Sequence, residues 1–242
     1  FSIVLTVAAA ELIEVFRVHQ RIDFSEITIS ARNALSRNEI PTDLALMLDY
    51  RTFHILVDEF QDTSLEQYKL LTSLVQSWQP GDGNTFFAVG DPMQSIYRFR
   101  DADIKLYQST FNEGLPSIPL ESVRLKNNFR SSTSLVDWAN DVFGRLFPKS
   151  EDTLTGSVTF NVAHAVRKAP GSVQAFVAND RASEANGVAD RIVSIRSKHP
   201  DDSIAILVRS RNVLPLIIDA LQETKVRWRG VDLEPLVNVP VV

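Results

Sequence analysis

The chain has 242 residues, 44% of them hydrophobic and 23% charged, which is the composition of a folded globular protein long enough to bury a sizeable core in one large or two small domains. With no cysteine it has no disulfide, no thiolate metal site and no cysteine nucleophile, and it fits a reducing, cytoplasmic setting. A net charge of −5 argues against a protein that coats nucleic acid non-specifically, while leaving room for a locally basic groove.

The longest apolar stretches, residues 3–10 and 204–208, fall far short of the roughly 18 residues of a membrane span, so no membrane partner is expected. A start at Phe1-Ser2 without basic residues, and the interruptions at Glu11 and Glu14, speak against a signal peptide; lacking an initiator Met, the chain reads as an excised piece. Val4, Val7, Ala8, Leu12, Val15 and Phe16 recur near a helical period and predict an amphipathic helix over residues 2–20. Asp23 and Glu26 have the form of a capping box in front of Ile27, Ala31, Ala34 and Leu35, and Pro41 marks the start of a short helix to about residue 50.

Residues 53–57 are too short for a free-standing helix and nearly continuous in apolar character, as in a strand buried on both faces of a parallel sheet. Leu71, Leu74, Val75 and Trp78 mark one side of a helix from about Ser64, closed by the turn cluster at residues 80–83. Residues 86–89 form a second apolar strand, expected to lie parallel to the first, and Ile104, Tyr107 and Phe111 share a helical face behind it. Two prolines and a glycine make residues 114–119 the best domain boundary.

Beyond it, residues 120–125 read as a strand, and Leu135, Trp138, Ala139, Val142, Phe143 and Leu146 as the buried face of a helix capped near Ser131 or Ser132. Val158, Phe160 and Val162 alternate like a half-exposed strand. Strands at 173–178, 204–208 and around Val226 alternating with helices at 183–198 and 212–223 point to a second parallel-sheet layer.

The chemistry collects where the first two strands end. Asp58 and Glu59 follow the first, and in open α/β sheets the carboxyl edge is where ligands bind; one acid can hold Mg²⁺ while the other orients or deprotonates water. The same residues also read as an acidic strand-to-helix turn, with Asp62 or Ser64 capping the next helix. Gln94 by itself reads as a surface amide in a turn, and Phe129-Arg130 as core plus surface charge. Basic residues gather at Arg98/Arg100, Arg124/Lys126/Arg130 and Lys225/Arg227/Arg229, a pattern shared by plain solvated surface.

Three extended blocks, VDEFQDT at 57–63, VGDPMQSIYRFRDAD at 89–103 and NNFRSS at 127–132, resemble in order and spacing motifs II, III and IV of the superfamily 1A helicases of the UvrD/Rep/RecB group. Residues 22–26 and 231–236 look more like the RecB/AddA branch, the exodeoxyribonuclease V beta subunit type, than like UvrD or Rep. The resemblance implies an α/β fold of two incomplete RecA-like (P-loop NTPase-like) domains with parallel sheets flanked by helices. Residues 1–116 would be the C-terminal part of the first domain with motifs II and III, and 117–242 the N-terminal part of the second with motif IV.

By position the resemblance implies that Asp58 is the Mg²⁺-associated acid and Glu59 the general base for water. Gln94 would be the sensor of the ATP γ-phosphate, Arg130 an arginine finger reaching that phosphate, and Phe129 the aromatic on the adenine. Phe99 would stack a base of single-stranded DNA beside Tyr97, and Arg100 would lie against the acids or the DNA backbone. Asp101 departs from the family's usual Gly, which puts a tight backbone approach there in doubt.

The implied activity is an ATP-dependent 3′ to 5′ DNA helicase or translocase of repair and recombination, acting at DNA ends, with a RecC/AddB-like partner subunit. No Gly-Lys dipeptide occurs, so the phosphate loop lies outside these residues, as do motifs V and VI, and the 242-residue chain alone is expected to be inactive. His19, His54, His164 and His199 lie singly, without metal-ligand spacing. The competing reading is a degenerate, non-hydrolysing module kept for DNA or partner binding; intact Asp58, Glu59, Gln94 and Arg130 speak against it.

Overall fold

The computed structural model describes residues 2–37, 40–224 and 226–230, which pack as two units, residues 1–172 and 173–242. In the first unit α1 (Ser2–His19) forms as its periodicity predicts, but its apolar residues, Val4, Val7 and Leu12 among them, stay exposed, so the helix has no buried face of the kind expected. Asp23 caps α2 (Phe24–Leu35) by accepting from the Glu26 N–H at 2.7 Å. Only this half of the predicted capping box forms, since the Glu26 carboxylate accepts from Ser30 Oγ instead. The hairpin pair β1 (Ser36–Arg37) and β2 (Ile40–Pro41) follows, so Pro41 sits in a strand. The next helix, α3 (Asp43–Asp49), starts two residues after it, because Thr42 Oγ1 accepts from Ala45 N–H and caps it there.

β3 (His54–Val57) and β4 (Thr85–Ala88) pair in parallel, His54 opposite Thr85 and Val57 opposite Ala88. Between them runs α4 (Leu65–Leu74), opened by a complete capping box of Ser64 with Gln67, so Ser64 rather than Asp62 is the cap. α2 packs on α4, where Arg32 lies 3.3 Å from Glu66. The core of this region is Val75, Trp78 and Leu115, with Ile55, Tyr68, Phe86, Ile118 and Leu120 packed around it.

The expectation that β3 is buried on both faces does not hold. Ile55 and Phe86, side by side in the ladder, turn into the core, whereas their neighbours Leu56 and Phe87 are 71% and 58% exposed. Burial on both faces needs a helical layer on each, and the described core covers only one.

α5 (Ile104–Glu113) follows β4, with Asp103 accepting from Lys105 N–H at its start. Residues 120–125 form no strand: the ladder begins only at β5 (Asn127–Asn128), which pairs in parallel with β6 (His164–Ala165). Val158, Phe160 and Val162 likewise precede that ladder rather than join it, because no described neighbour bonds to their backbone as a ladder would. α6 (Thr133–Leu146) connects the pair, and Asn140 fixes it by donating to Ala163 O at 2.9 Å and accepting from Ala163 N–H at 3.1 Å. Its buried residue is Val136, and the expected face of Leu135, Trp138 and Leu146 is exposed. Phe143 instead packs with Phe147, Phe160 and the edge of Trp138.

The second unit is a helical pair. α7 (Arg181–Lys198), capped by Asp180 on Ser183 N–H, packs on α8 (Leu214–Glu223) through Ala185, Ala189, Ile192, Ile217, Ala220 and Leu221. Strands expected at 173–178, 204–208 and Val226 are absent among the described residues. Val177 and Leu207 are 98% and 94% exposed, and apolar alternation cannot make a strand without a hydrogen-bonded partner. The Lys225/Arg227/Arg229 cluster and the 231–236 segment lie partly and wholly outside the described residues.

Gly187 lies inside α7 with nothing within 4 Å of the position a Cβ would take. Gly187→Ala should raise the stability of this protein by about 0.5–1 kcal/mol, measured by chemical denaturation, because alanine loses less backbone freedom in a helix. By contrast Leu115→Ala, in the core of the first unit, should cost about 2–5 kcal/mol.

Candidate functional site

Both parallel strands run into polar turns at the same edge of the sheet. The ladder continues one step past β4, with Val89 N–H donating to Val57 O, and then crosses back as Phe60 N–H donates to Val89 O, each at 2.9 Å. The acidic segment 58–63 is thereby laid against the segment that begins Gly90-Asp91.

Asp58 accepts from Glu59 N–H at 2.9 Å, and Glu59 has left-handed backbone angles, φ 51° and ψ 41°. A non-glycine residue in that region is uncommon and carries a conformational cost. It turns the chain sharply from strand into the short turn Phe60–Asp62, and the Glu59 carboxylate then accepts from Gln61 Nε2 at 2.6 Å.

Gln61 is the residue that sequence reasoning missed. It is 1% exposed, and both ends of its amide are engaged: Nε2 donates to Glu59 and, at 3.3 Å, to Asp62, while Oε1 accepts from Asp91 N–H at 3.0 Å. Its main-chain carbonyl accepts from Ser95 Oγ at 3.3 Å. Carboxylates only accept and a backbone N–H only donates, so the amide orientation follows from its partners. Gly90 permits this approach, since a Cβ there would stand 2.6 Å from Gln61 Oε1. Tyr107 closes the other side by donating to Gly90 O at 3.2 Å, and Asp103 N–H donates to Thr63 O. A signal was available in the sequence: an uncharged amide, Gln61, amid Asp58, Glu59 and Asp62.

Beside these turns lies a cleft of about 330 Å³ lined by Val57, Asp58, Glu59, Asp62, Thr63, Gln67, Leu70 and Leu71. Asp62 Oδ1 is buried against it without a hydrogen-bond partner, while Asp58 and Glu59 are exposed. Three acidic residues, Asp58, Glu59 and Asp62, stand along this open cleft. Among the described residues no group of three or more His, Asp or Glu is placed to hold a metal ion.

Gln94 ends the turn Pro92–Gln94 and donates to Asp91 Oδ2 at 2.7 Å, so it is tied through Asp91 and Gln61 to Glu59 without lining the cleft. Tyr97 and Phe99 lie 5.8 Å apart with tilted rings, Phe99 being 77% exposed at the tip of the turn Arg98–Arg100. Asp101 ends that turn at φ 62°, the left-handed conformation that glycine adopts without strain and Asp tolerates better than most. Phe129, 70% exposed, and Arg130 stand on the turn after β5, where Asn128 Oδ1 accepts from the N–H groups of Arg130 and Ser131. Neither lines the cleft, and Arg130 O accepts from Arg167.

Parallel strand pairs with polar turns at one edge and helices in the connections make this a mixed α/β protein, the class to which RecA-like domains belong. Residues 4–113 match the UvrD/REP helicase N-terminal domain and residues 123–236 the UvrD-like helicase C-terminal domain; the chain belongs to the UvrD/Rep helicases. Similar curated proteins include an ATP-dependent helicase/nuclease subunit of Exiguobacterium sibiricum, 34% identical over 60% of this chain and 12% of that protein. The protein of the same name in Lysinibacillus sphaericus is 39% identical over 52% and 10%. RecBCD enzyme subunit RecB of Chlamydia pneumoniae is 35% identical over 51% and 11%. The chain thus spans about a tenth of the length of these relatives. No helix of the described residues is long and apolar enough to cross a membrane.

Burial, first, and then the Asp91 carboxylate push the Tyr107 phenol above its ordinary value of 10.0. The neutral form is the one the fold favours, so its contribution is complete below the ordinary value and is lost as pH rises through the raised one. Tyr107→Phe should therefore flatten the alkaline fall of stability above about pH 10, read from unfolding midpoints across that range.

Proposed function

We propose that this chain is the ATP-hydrolysing middle of a RecB/AddA-type DNA helicase, moving 3′ to 5′ on single-stranded DNA from DNA ends. The observation that carries this reading is the linked pair of turns at one sheet edge, with Glu59 and the Gln94 turn joined through Gln61 and Asp91. The family match and the names of the relatives support it. Carboxylates with a free buried oxygen fit Mg²⁺, held by Asp58 with Asp62 beside it. A triphosphate also needs the glycine-rich phosphate loop with its lysine, and no Gly-Lys dipeptide occurs in these 242 residues.

When bound, Mg²⁺-ATP supplies the phosphoryl group and the charge neutralisation for its transfer. Glu59 takes the proton of the attacking water, its carboxylate aimed by Gln61. Gln94 reports the state of the terminal phosphate through Asp91. Arg130 offers a planar, permanently charged fork to developing negative charge, and Phe129 a face for the adenine. Phe99 and Tyr97 form a stacking step for bases, with Arg100 adjacent in the chain. The reading includes a domain boundary between residues 116 and 117, a RecC/AddB-like partner and a cytoplasmic setting.

In the complete protein that carries this chain, Glu59→Gln should lower ATP turnover by about 10²- to 10⁴-fold, with Mg²⁺-ATP binding retained, since it removes the base and little else. Turnover is read by phosphate release and binding by calorimetry; near-normal turnover would make Glu59 structural. Phe99→Ala should weaken binding of single-stranded oligothymidylate by about 1–3 kcal/mol by fluorescence titration, and unchanged affinity would remove it from the DNA path.

A further inference from the structure

Gln61 touches two segments separated by 30 residues in sequence, and does so with the two opposite ends of one amide. The donor end is within 2.6 Å of the Glu59 carboxylate, and the acceptor end holds Asp91 N–H at 3.0 Å. Asp91 in turn receives the Gln94 amide at 2.7 Å, so a single line of hydrogen bonds runs Glu59, Gln61, Asp91, Gln94. Ser95 Oγ, bonded to the Gln61 carbonyl, anchors the residue that follows Gln94 to the same point. Gln61 is 1% exposed, its neighbour Phe60 is likewise enclosed, and Gly90 leaves it no room on the loop side. A displacement of the loop would either break the Gln61–Asp91 contact or carry the amide away from Glu59.

We infer that Gln61 is the positioning residue that couples the acid at position 59 to the loop carrying Gln94, so that a displacement of residues 90–95 is delivered to the Glu59 carboxylate as loss or gain of its aim. The inference deepens the function proposed above and rests on it for the identity of the reaction, while the linkage itself is a property of the fold. A buried, fully satisfied amide suits this task because its two ends are chemically distinct: one accepts only a donor, the other serves only an acceptor. Breaking either end leaves a buried polar group unmatched, so the two segments favour moving together.

The distinct ends allow them to be cut separately. Gln61→Glu has the same shape and keeps an acceptor for Asp91 N–H, but replaces the donor to Glu59 by a carboxylate oxygen that repels it. Gln61→Leu removes both ends. In the complete protein with Mg²⁺-ATP and oligothymidylate, kcat and KM are measured together with hydrogen–deuterium exchange of the peptide spanning 88–95. Gln61→Glu should lower kcat on the order of 10- to 100-fold, the scale of misplacing a catalytic group by about 1 Å, with KM for ATP little changed and exchange at 88–95 as in the parent. Gln61→Leu should lower kcat similarly and also speed exchange at the Asp91 amide. Gly90→Ala, which forces its Cβ onto Gln61 Oε1, should behave as Gln61→Leu, and the double variant should be no worse than either alone, as expected for residues acting as a unit.

Parental kcat in Gln61→Glu, unchanged Asp91 exchange in Gln61→Leu, or multiplicative losses in the double variant would each overturn the inference. So would a fall in kcat that only tracks a falling melting temperature across the set. If the parent protein itself hydrolyses no ATP, the proposed function fails, and the exchange results still decide whether Gln61 ties the two segments together.

Discussion

One buried amide holds the functional end of the first unit in shape. The parallel ladder of β3 and β4 brings Val57 and Val89 side by side, but a ladder alone would let the two following turns diverge into solvent. Gln61, itself almost fully buried, prevents this by satisfying a carboxylate on one side and a main-chain N–H on the other. Hydrogen bonds are modest on average because water offers an equal alternative; they become decisive where that alternative has been excluded. The packing of Phe60 beneath, the absence of a side chain at Gly90 and the Tyr107 phenol over Gly90 O all serve to exclude it.

The parts of this arrangement legible in the sequence were those with a local signature. Residues 53–57 and 86–89 are apolar runs followed by acids, and their parallel pairing was expected from that pattern; Asp23 was expected to cap α2, and Ser64 was one of the two candidate caps for α4. Failures fell where the outcome is set by a partner remote in sequence. Residues 120–125 and 204–208 have the alternation of strands and no ladder to join, and α6 turns Val136 inward in place of Leu135 because Asn140 and the Phe143, Phe147 and Phe160 cluster fix its rotation. Gln61 was hidden for the same reason. Its acidic neighbours set it apart, but its bond to Asp91 is made thirty residues away.

The two halves of the recognised motif set also differ in kind. Asp58, Glu59 and Gln94 belong to one hydrogen-bonded system, whereas Phe99, Phe129 and Arg130 are presented outward on short turns shaped by Asn128 and by the left-handed Asp101. Groups that act on a shared reaction centre must be held to a fraction of an ångström, while groups that meet a flexible polymer or a planar base gain from exposure and tolerate latitude. On the roles proposed for these residues, the division of rigidity follows that of task.

The left-handed turn at Glu59 carries an evolutionary consequence. Glycine or asparagine would relieve its backbone cost, and either would delete the carboxylate. If Glu59 has the role proposed for it, heat resistance and turnover pull this one position in opposite directions, and a lineage selected for robustness alone would be drawn at residue 59 toward a sturdier protein that no longer works.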